Sequence, residues 1–260
     1  MKTDFYQEMC SVLIAAEKQA AELVMHAHGV ITEEKTGARD VVTEYDRRVQ
    51  ALLIERLSAA VPGAAFFCEE SGVQNSTGAE NVFVIDPIDG TMNFVRGMHN
   101  SCISAALMQH GVITAAAVYN PYVDELFTAL RGKGAYLNGR RIHVEDAPLN
   151  ETVFCFGSSP YNQNKTDESF RLARIAFDHS LDLRRFASAE LDLCSVGAGR
   201  AGLYFELEVS FWDYAAGSLI VEEAGGVCTD INGAPLPLDG RKTSILAGSR
   251  QAHADFRKLI

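Results

Sequence analysis

Residues 82–94 read Val-Phe-Val-Ile-Asp-Pro-Ile-Asp-Gly-Thr-Met-Asn-Phe, and the rest of the chain is best understood outward from this stretch. The apolar run Val82–Ile85 predicts a buried strand. The strand leads Asp86 and Asp89 into a turn that Pro87 and Gly90 are suited to form. Two carboxylates three residues apart supply hard oxygen ligands of the kind that Mg²⁺ prefers. The segment therefore predicts a magnesium site where a strand ends.

The residues after the second carboxylate indicate phosphoryl chemistry. The backbone N–H groups of Gly90 and Thr91 can approach an anion closely, especially where a helix begins. One competing interpretation is a plain surface turn, which the strand before it and the threonine after it make less favourable. Another is a haloacid-dehalogenase phosphatase, whose D-x-D-G-T motif has its second aspartate two positions after the first. This chain has Ile88 at that position, so the match is poor.

Composition and charge limit the classes of protein that the chain can represent. A chain of 260 residues with 47% hydrophobic and 22% charged residues can bury a full core and is typical of soluble globular proteins. The net charge of −11 argues against a nucleic-acid partner, and a phosphate substrate would need a local cation. Acidic residues interrupt the N-terminal apolar stretches, so neither a signal peptide nor a membrane span is expected. The six scattered cysteines are expected to be reduced, in a cytoplasmic protein.

Hydrophobic periodicity predicts an α+β chain. Helices are expected over residues 4–27, from Thr43 onward, over 166–179, over 188–198 with Ser188 as its cap, and from Asp213 to Gly225. Strands are expected over 64–68, 102–108, 112–119, 125–130, 153–157, 181–186, 202–208, 227–231 and 243–247, with a polar loop over 75–80. The three consecutive strands after residue 100 predict an antiparallel meander. A polar segment around residues 146–151 predicts two parts, residues 1–147 and 148–260.

Two motifs resemble the signatures of a known phosphatase family. The Asp-Pro-Ile-Asp-Gly-Thr-Met-Asn-Phe segment and the later Trp212-Asp213-Tyr214-Ala215-Ala216-Gly217 segment resemble those of the inositol monophosphatase family, and the similarity extends over nearly the whole chain. The resemblance implies a layered α-β-α-β-α sandwich, a requirement for Mg²⁺, inhibition by Li⁺ and a homodimer. It also implies hydrolysis of a small phosphate monoester, foremost an inositol monophosphate, by activated water without a covalent intermediate.

The resemblance further implies roles for residues spread along the chain. Asp46 and Thr91 would orient the attacking water, and Gly90 and Thr91 would hold the phosphate. The metal ligands would be Glu69, Asp86, the Ile88 carbonyl, Asp89 and Asp213, and Glu69 would also serve catalysis. The substrate pocket would include Ser158, Ala189, Glu206 and Asp213.

Local sequence offers structural roles for three of these residues. Asp46 lies three residues after Thr43, which is the spacing of a helix capping box. Asp213 could equally cap a helix, and Glu206 could be a surface residue at a strand edge. The chain also departs from the family pattern, with Cys68 and Ala187 in place of glycines and Glu190 in place of a small apolar residue. The glutamate is expected to alter the pocket.

Two alternatives to an inositol monophosphatase stay open. A 3′(2′),5′-bisphosphate nucleotidase or a sugar bisphosphatase of the same fold would need an enlarged pocket or extra cations, and the sequence contains no obvious cluster of that kind. A non-catalytic interaction protein could retain the fold, although the acidic site residues are all present. The expected partner is a small phosphorylated polyol or nucleotide, and neither nucleic acid nor a membrane.

Overall fold

The computed structural model describes residues 2–37, 40–74 and 79–260. The first half of the chain contains α1 (Lys2–Met25), β1 (Thr32–Gly37), β2 (Asp40–Thr43), α2 (Glu44–Ala60), β3 (Ala65–Cys68), β4 (Gly72–Gln74), β5 (Asn81–Asp89), α3 (Thr91–Val95), β6 (Cys102–Gln109), β7 (Val112–Asn120), β8 (Glu125–Leu130), β9 (Gly134–Leu137) and β10 (Arg140–Ile142). The second half contains β11 (Val153–Phe156), α4 (Thr166–Asp178), β12 (Asp182–Arg184), α5 (Ala189–Gly197), β13 (Leu203–Val209), α6 (Ala215–Glu223), β14 (Val227–Thr229), β15 (Thr243–Gly248) and α7 (Arg250–Leu259).

Most strands belong to two large sheets. The eight-stranded sheet has the order β10-β9-β8-β7-β6-β5-β3-β4, and the five-stranded sheet has the order β12-β11-β13-β15-β14. Strands β5 to β10 pair with their neighbours in antiparallel fashion, which confirms the predicted meander. Strand β3 instead lies parallel to β5. The pair β1 and β2 forms a separate antiparallel ribbon.

The helices and the two large sheets stack in five layers. Successive side chains of β5 point to opposite faces, so Phe83 and Ile85 pack against α1 and α2, while Val82 and Val84 pack toward α5 and α6. The five-stranded sheet covers the other side of α5 and α6, and α4 and α7 pack on its outer face. Each fully buried aliphatic or aromatic side chain stabilises this arrangement by about 1.5–3 kcal/mol. The predicted α-β-α-β-α sandwich is confirmed.

Two local expectations differ from the structure, and a third falls largely on residues that the structure does not describe. The helix expected to begin at Asp213 begins at Ala215, because a short 3₁₀ turn (Phe211–Asp213) comes first and the Asp213 side chain caps that turn. The strand expected over residues 181–186 covers only β12, an edge strand that pairs with three residues of β11. Of the polar loop expected over residues 75–80, residues 75–78 lie outside the described part of the chain.

All strands of the eight-stranded sheet come before residue 147 in the chain, and all strands of the five-stranded sheet come after it. The division into parts 1–147 and 148–260 stays a prediction. One apolar cluster contains residues of both sheets, so the two parts share a core. Among the described residues, none of the helices is both long and apolar enough to cross a membrane.

Candidate active site

Strand β5 continues to Asp89, whereas the sequence predicted a turn beginning at Pro87. The register of β5 against β6 shifts between Asp86 and Asp89, so one extra residue forms a bulge. Proline is tolerated at a bulge because its missing N–H removes no ladder hydrogen bond. The bulge carries both buried carboxylates to the end of the strand.

The chain turns sharply directly after the second carboxylate. Gly90 has a φ of 85°, and a β-carbon there would lie 3.1 Å from the Asn100 carbonyl oxygen and 3.2 Å from that of Ala187. This position therefore requires glycine. Gly90 is also the N-cap of the short helix α3, whose first residue is Thr91. That the amides of Gly90 and Thr91 hold a phosphate stays a prediction.

Asp89 is held by the start of α5, a segment about one hundred residues later in the chain. Its Oδ2 accepts hydrogen bonds from Ser188 Oγ at 2.6 Å and from the backbone N–H of Glu190 at 2.8 Å. The backbone N–H of Ala189 donates to Oδ1 at 3.3 Å. Burial raises the pKa of Asp89, and these hydrogen bonds oppose the increase. Ser188 also caps α5, as predicted, so one turn both starts the helix and orients the carboxylate.

Asp46 forms the capping box that its spacing predicts and also contacts Thr91, while its orienting of a water molecule stays a prediction. It forms a capping box with Thr43, whose backbone N–H donates to Asp46 Oδ2 at 2.8 Å. Its other oxygen, Oδ1, accepts a hydrogen bond from Thr91 Oγ1 at 3.2 Å. Thr91 Oγ1 also lies 3.0 Å from the Ile88 carbonyl oxygen, so its single hydrogen is shared and its lone pairs can still accept a hydrogen bond. Burial raises the pKa of Asp46, while the hydrogen bonds from Thr43 oppose the increase.

Glu69 follows β3 and forms an ion pair that sequence reasoning did not assign. Lys35 Nζ lies 2.9 Å from Glu69 Oε1 and 2.5 Å from Glu70 Oε1. Burial raises the pKa of Glu69 to about 7, although the charge of Lys35 opposes the increase. Burial lowers the pKa of Lys35, but the charges of the two glutamates outweigh it and raise the pKa overall. The two glutamates therefore already hold one positive charge, the Lys35 ammonium group, beside Glu69.

The predicted metal carboxylates influence one another's ionisation. Burial, followed by the charges of Glu69, Asp89 and Asp213, raises the pKa of Asp86 well above its usual value. Burial and the charge of Glu69 likewise raise the pKa of Asp213, although the backbone N–H of Ser210 donates to it at 2.7 Å. In the described ranges, no three His, Cys, Asp or Glu side chains are arranged to hold a metal ion as they stand. The mutual effect of their charges nevertheless indicates that Asp86, Asp89 and Asp213 lie near one another and near Glu69.

The donor set fits a hard divalent cation. The four side chains are all carboxylates, and Mg²⁺ prefers oxygen ligands to nitrogen or sulfur. Gathering buried carboxylates costs free energy unless a cation neutralises them. The Ile88 carbonyl oxygen, which accepts a hydrogen bond from Thr91, keeps a second lone pair for a ligand. Ligation by each of these residues individually stays a prediction.

A cavity of about 390 Å³ lies beside the end of β5. Ser158 is outside its lining, but Ser158 Oγ accepts a hydrogen bond at 3.0 Å from Arg185, which does line it. The lining likewise does not include Asp46, Glu69, Asp86 or Ile88. Six of the predicted site residues line the cavity together, namely Asp89, Gly90, Thr91, Ala189, Glu206 and Asp213.

Glu206 is more constrained than its place on a strand suggested. Its Oε1 accepts a hydrogen bond from the backbone N–H of Ser159 at 2.8 Å, and its Oε2 accepts one from the Tyr204 hydroxyl at 2.9 Å. Ser159 Oγ in turn accepts a hydrogen bond from the Glu208 N–H at 3.0 Å, so β13 anchors the loop after β11. Burial raises the pKa of Glu206, and its hydrogen bonds oppose the increase. Each carboxylate oxygen can still accept a further hydrogen bond.

Tyr161, in that anchored loop, is a site residue that sequence reasoning missed. The residue is 61% exposed and lines the cavity. Burial, with the charges of Asp213 and Glu69, raises the pKa of Tyr161. The only sequence signal was an aromatic residue directly after Ser159-Pro160.

The three residues that depart from the family pattern have different structural surroundings. Glu190 does not line the cavity, because its fully buried carboxylate points to the start of α6. That the glutamate changes the shape or polarity of the pocket stays a prediction. Ala187 has a φ of 63°, a conformation that favours glycine. Cys68 is buried at the end of β3 without distorting the strand.

Comparison with known proteins corrects one expectation. The chain is 38% identical over 251 residues to a putative Nus factor SuhB from Neisseria meningitidis serogroup B, a match that covers 94% of this chain and 95% of that protein. The expectation of no nucleic-acid partner is contradicted by this relative, which is named for a role as a Nus factor. The expectation rested on the net charge of −11, which bears on direct electrostatic binding and not on membership of a larger complex.

Solved structures agree with the sequence comparison. The extragenic suppressor protein suhB from Bartonella henselae has a TM-score of 0.91 at 32% identity, covering 97% of this chain and 98% of that chain. An IMPase from Thermotoga maritima has a TM-score of 0.86 at 31% identity, covering 99% and 96%. The family model described as the inositol monophosphatase family matches residues 6–260. The chain therefore belongs to the inositol monophosphatase family.

Proposed function

We propose that the protein is a Mg²⁺-dependent phosphatase that hydrolyses a small, hydroxyl-rich phosphate monoester. The cavity that places Asp89, Gly90 and Thr91 beside Asp213 carries this proposal. Family membership supports a phosphatase-type activity. Mg²⁺ bound by the surrounding carboxylates would activate the attacking water and neutralise charge on the transferred phosphoryl group.

The chain's own residues would orient the water. Thr91 Oγ1 donates toward Asp46 Oδ1 and the Ile88 carbonyl oxygen, so a water molecule can donate to Thr91 and be held in one orientation. Asp46 cannot rotate away without breaking its hydrogen bond from Thr43 N–H at 2.8 Å. Reaction rates depend strongly on such positioning.

The charge of the cavity wall favours a polyol as the leaving group. Asp192, Glu206 and Glu208 also line the cavity, and Arg185 is the only cationic side chain among the lining residues of the described chain. Hydroxyl groups can donate hydrogen bonds to these carboxylates. A second phosphate would be repelled by them and would have a single guanidinium as its partner. An inositol monophosphate therefore fits better than a bisphosphate nucleotide.

The test is phosphate release from inositol 1-phosphate, 4-nitrophenyl phosphate and adenosine 3′,5′-bisphosphate, each with Mg²⁺ and with EDTA. Wild type should prefer the inositol phosphate and should lose activity in EDTA. Asp89→Asn preserves shape and should lower kcat by about a thousandfold or more, whereas Glu55→Gln, an exposed change on α2, should have no effect. Near-normal turnover of a folded Asp89→Asn variant at saturating Mg²⁺ would refute the assignment.

A second candidate function is a role in transcription, independent of catalysis. It is favoured by the relative named putative Nus factor SuhB, which matches almost the full length of the chain. In this role the protein would act as an interaction partner within a transcription complex that contains RNA. The retained carboxylates do not argue against it, since one fold can carry two functions.

The two functions are separated by comparing wild type with Asp89→Asn in binding to actively transcribing RNA polymerase from the same organism. Association of both proteins, with phosphatase activity in wild type alone, would support a role that does not need catalysis. Absence of association for both would contradict the transcription role and leave the phosphatase proposal unaffected.

A further inference from the structure

Glu190 is a fully buried carboxylate that caps a helix other than its own. Its side chain has no exposed surface. Glu190 Oε1 accepts a hydrogen bond from the Ala216 N–H at 3.2 Å, and Oε2 accepts one from the Gly217 N–H at 2.5 Å. Both N–H groups belong to the first turn of α6, where backbone donors have no partner within the helix. A carboxylate at this end also complements the helix dipole.

The same residue contacts the other half of the proposed metal site. The backbone N–H of Glu190 donates to Asp89 Oδ2 at 2.8 Å. Asp213 ends the 3₁₀ turn that leads directly into α6. Glu190 therefore joins Asp89, at the end of β5, to the helix start that follows Asp213.

The packing around this connection leaves little room for adjustment. A β-carbon on Gly217 would lie 2.6 Å from Glu190 Oε2 and 2.6 Å from the Leu193 β-carbon. Gly217 of α6 thus lies against the side chains of Glu190 and Leu193 of α5, so closely that only glycine fits there. The start of α6 cannot shift toward or away from α5 without straining or breaking these hydrogen bonds.

We propose that Glu190 is a positioning residue that fixes Asp213 relative to Asp89 and thereby strengthens binding of the divalent cation. This inference rests on the function proposed above. A ligand set that is already in place loses less free energy on binding than one that must be ordered first. Glu190 is assigned no direct bond to the cation, since its carboxylate is directed at the first turn of α6.

The test compares Glu190→Ala and Glu190→Gln with Leu193→Ala as a matched control. Leu193 is fully buried at the same helix pair, so its truncation opens a cavity there without removing either hydrogen bond to α6. In the metal-free Glu190→Ala variant, hydrogen exchange of the Ala216 and Gly217 amides should accelerate at least tenfold. Calorimetry should show Mg²⁺ affinity at least tenfold weaker, while KM at saturating Mg²⁺ changes less than threefold.

Glu190→Gln should weaken Mg²⁺ binding less than Glu190→Ala, because an amide oxygen can accept one of the two N–H groups. If Glu190→Ala does not fold, unchanged Mg²⁺ affinity in Glu190→Gln overturns the proposal. A Leu193→Ala variant with an equal loss of Tm and an equal loss of Mg²⁺ affinity also overturns it, since Glu190 would then act only through stability. Wild type that binds no Mg²⁺ overturns the proposed phosphatase and this inference together, whereas normal wild-type binding with normal Glu190→Ala binding overturns this inference alone.

Discussion

Glu17 provides a direct test of how burial in this fold controls ionisation. It lies in α1 with no exposed surface, and neither carboxylate oxygen has a hydrogen-bond partner in the described structure. Burial raises its pKa well above the usual value, and the charge of Glu190 adds to the increase. The nearby backbone of Ala105, outside hydrogen-bonding geometry, offsets part of it. Replacing Glu17 with glutamine preserves the shape but removes the ability to ionise.

The sign and size of the effect follow from proton binding. The unfolded chain releases the Glu17 proton near pH 4.5, whereas the folded chain retains it to higher pH. Above pH 4.5 the folded state therefore binds more protons, and its free energy of unfolding falls by up to about 1.4 kcal/mol per pH unit. This fall continues until the pH passes the raised pKa of the folded state. Between pH 5.5 and 7.5, Glu17→Gln should gain up to about 2.7 kcal/mol relative to wild type.

The assay is denaturant unfolding of both proteins across this pH range, supported by thermal melts. The relative gain corresponds to roughly 5–10 °C in Tm for a chain of this size. Glu8→Gln, which changes an exposed carboxylate on the same helix, is the matched control and should show no pH-dependent difference. Interference from Cys10 is not expected, because burial raises its pKa to about 11. A difference between Glu17→Gln and wild type that is flat, or that shrinks as pH rises, would refute the reasoning.

Four further outcomes are expected. Thr91→Ala should lower kcat at least tenfold more than it raises KM; a raised KM with intact kcat would indicate a ground-state phosphate contact instead. Asp46→Asn should cost about 1 kcal/mol of stability through its capping box and most of the activity, whereas a stability loss alone would leave it only the capping role. Glu206→Gln should lower kcat/KM for inositol 1-phosphate by about ten- to a hundredfold and for 4-nitrophenyl phosphate much less, and equal losses would mean that Glu206 only anchors the loop. Ala187→Gly should raise Tm, because a positive φ costs alanine about 1 kcal/mol, and an unchanged Tm would contradict strain at this position.

Sequence reasoning succeeded where the signal is local. The Thr43–Asp46 spacing predicted a capping box, and the structure has one. Ser188 was predicted to cap α5 and does so. Both features depend on residues within one helical turn, so their spacing in the chain determines their geometry. The meander was likewise predictable, since its strands follow one another through short turns.

The parts that sequence reasoning missed join distant segments. Ser188 reaches Asp89 across 99 residues, and Lys35 reaches Glu69 across 34. No periodicity or cap predicts such contacts. The turn expected at Pro87 failed for a related reason, because pairing of β5 with β6 extends the strand through the proline as a bulge. Tertiary pairing thus overrode a local turn preference.

The proposed metal site departs from the pattern of apolar packing that stabilises the rest of the fold. Asp86, Asp89 and Asp213 lie in a single region, and burial raises the pKa of each; neighbouring carboxylates add to the increase for Asp86 and Asp213. Lys35 compensates part of this charge on the Glu69 side only. A chain selected for stability alone would replace such a cluster with apolar residues, as buried ion pairs can often be replaced. Folding therefore spends stability to assemble negative charge at the end of β5. This is the arrangement expected of a cation site, where a sequence departs from the rules that favour stability alone.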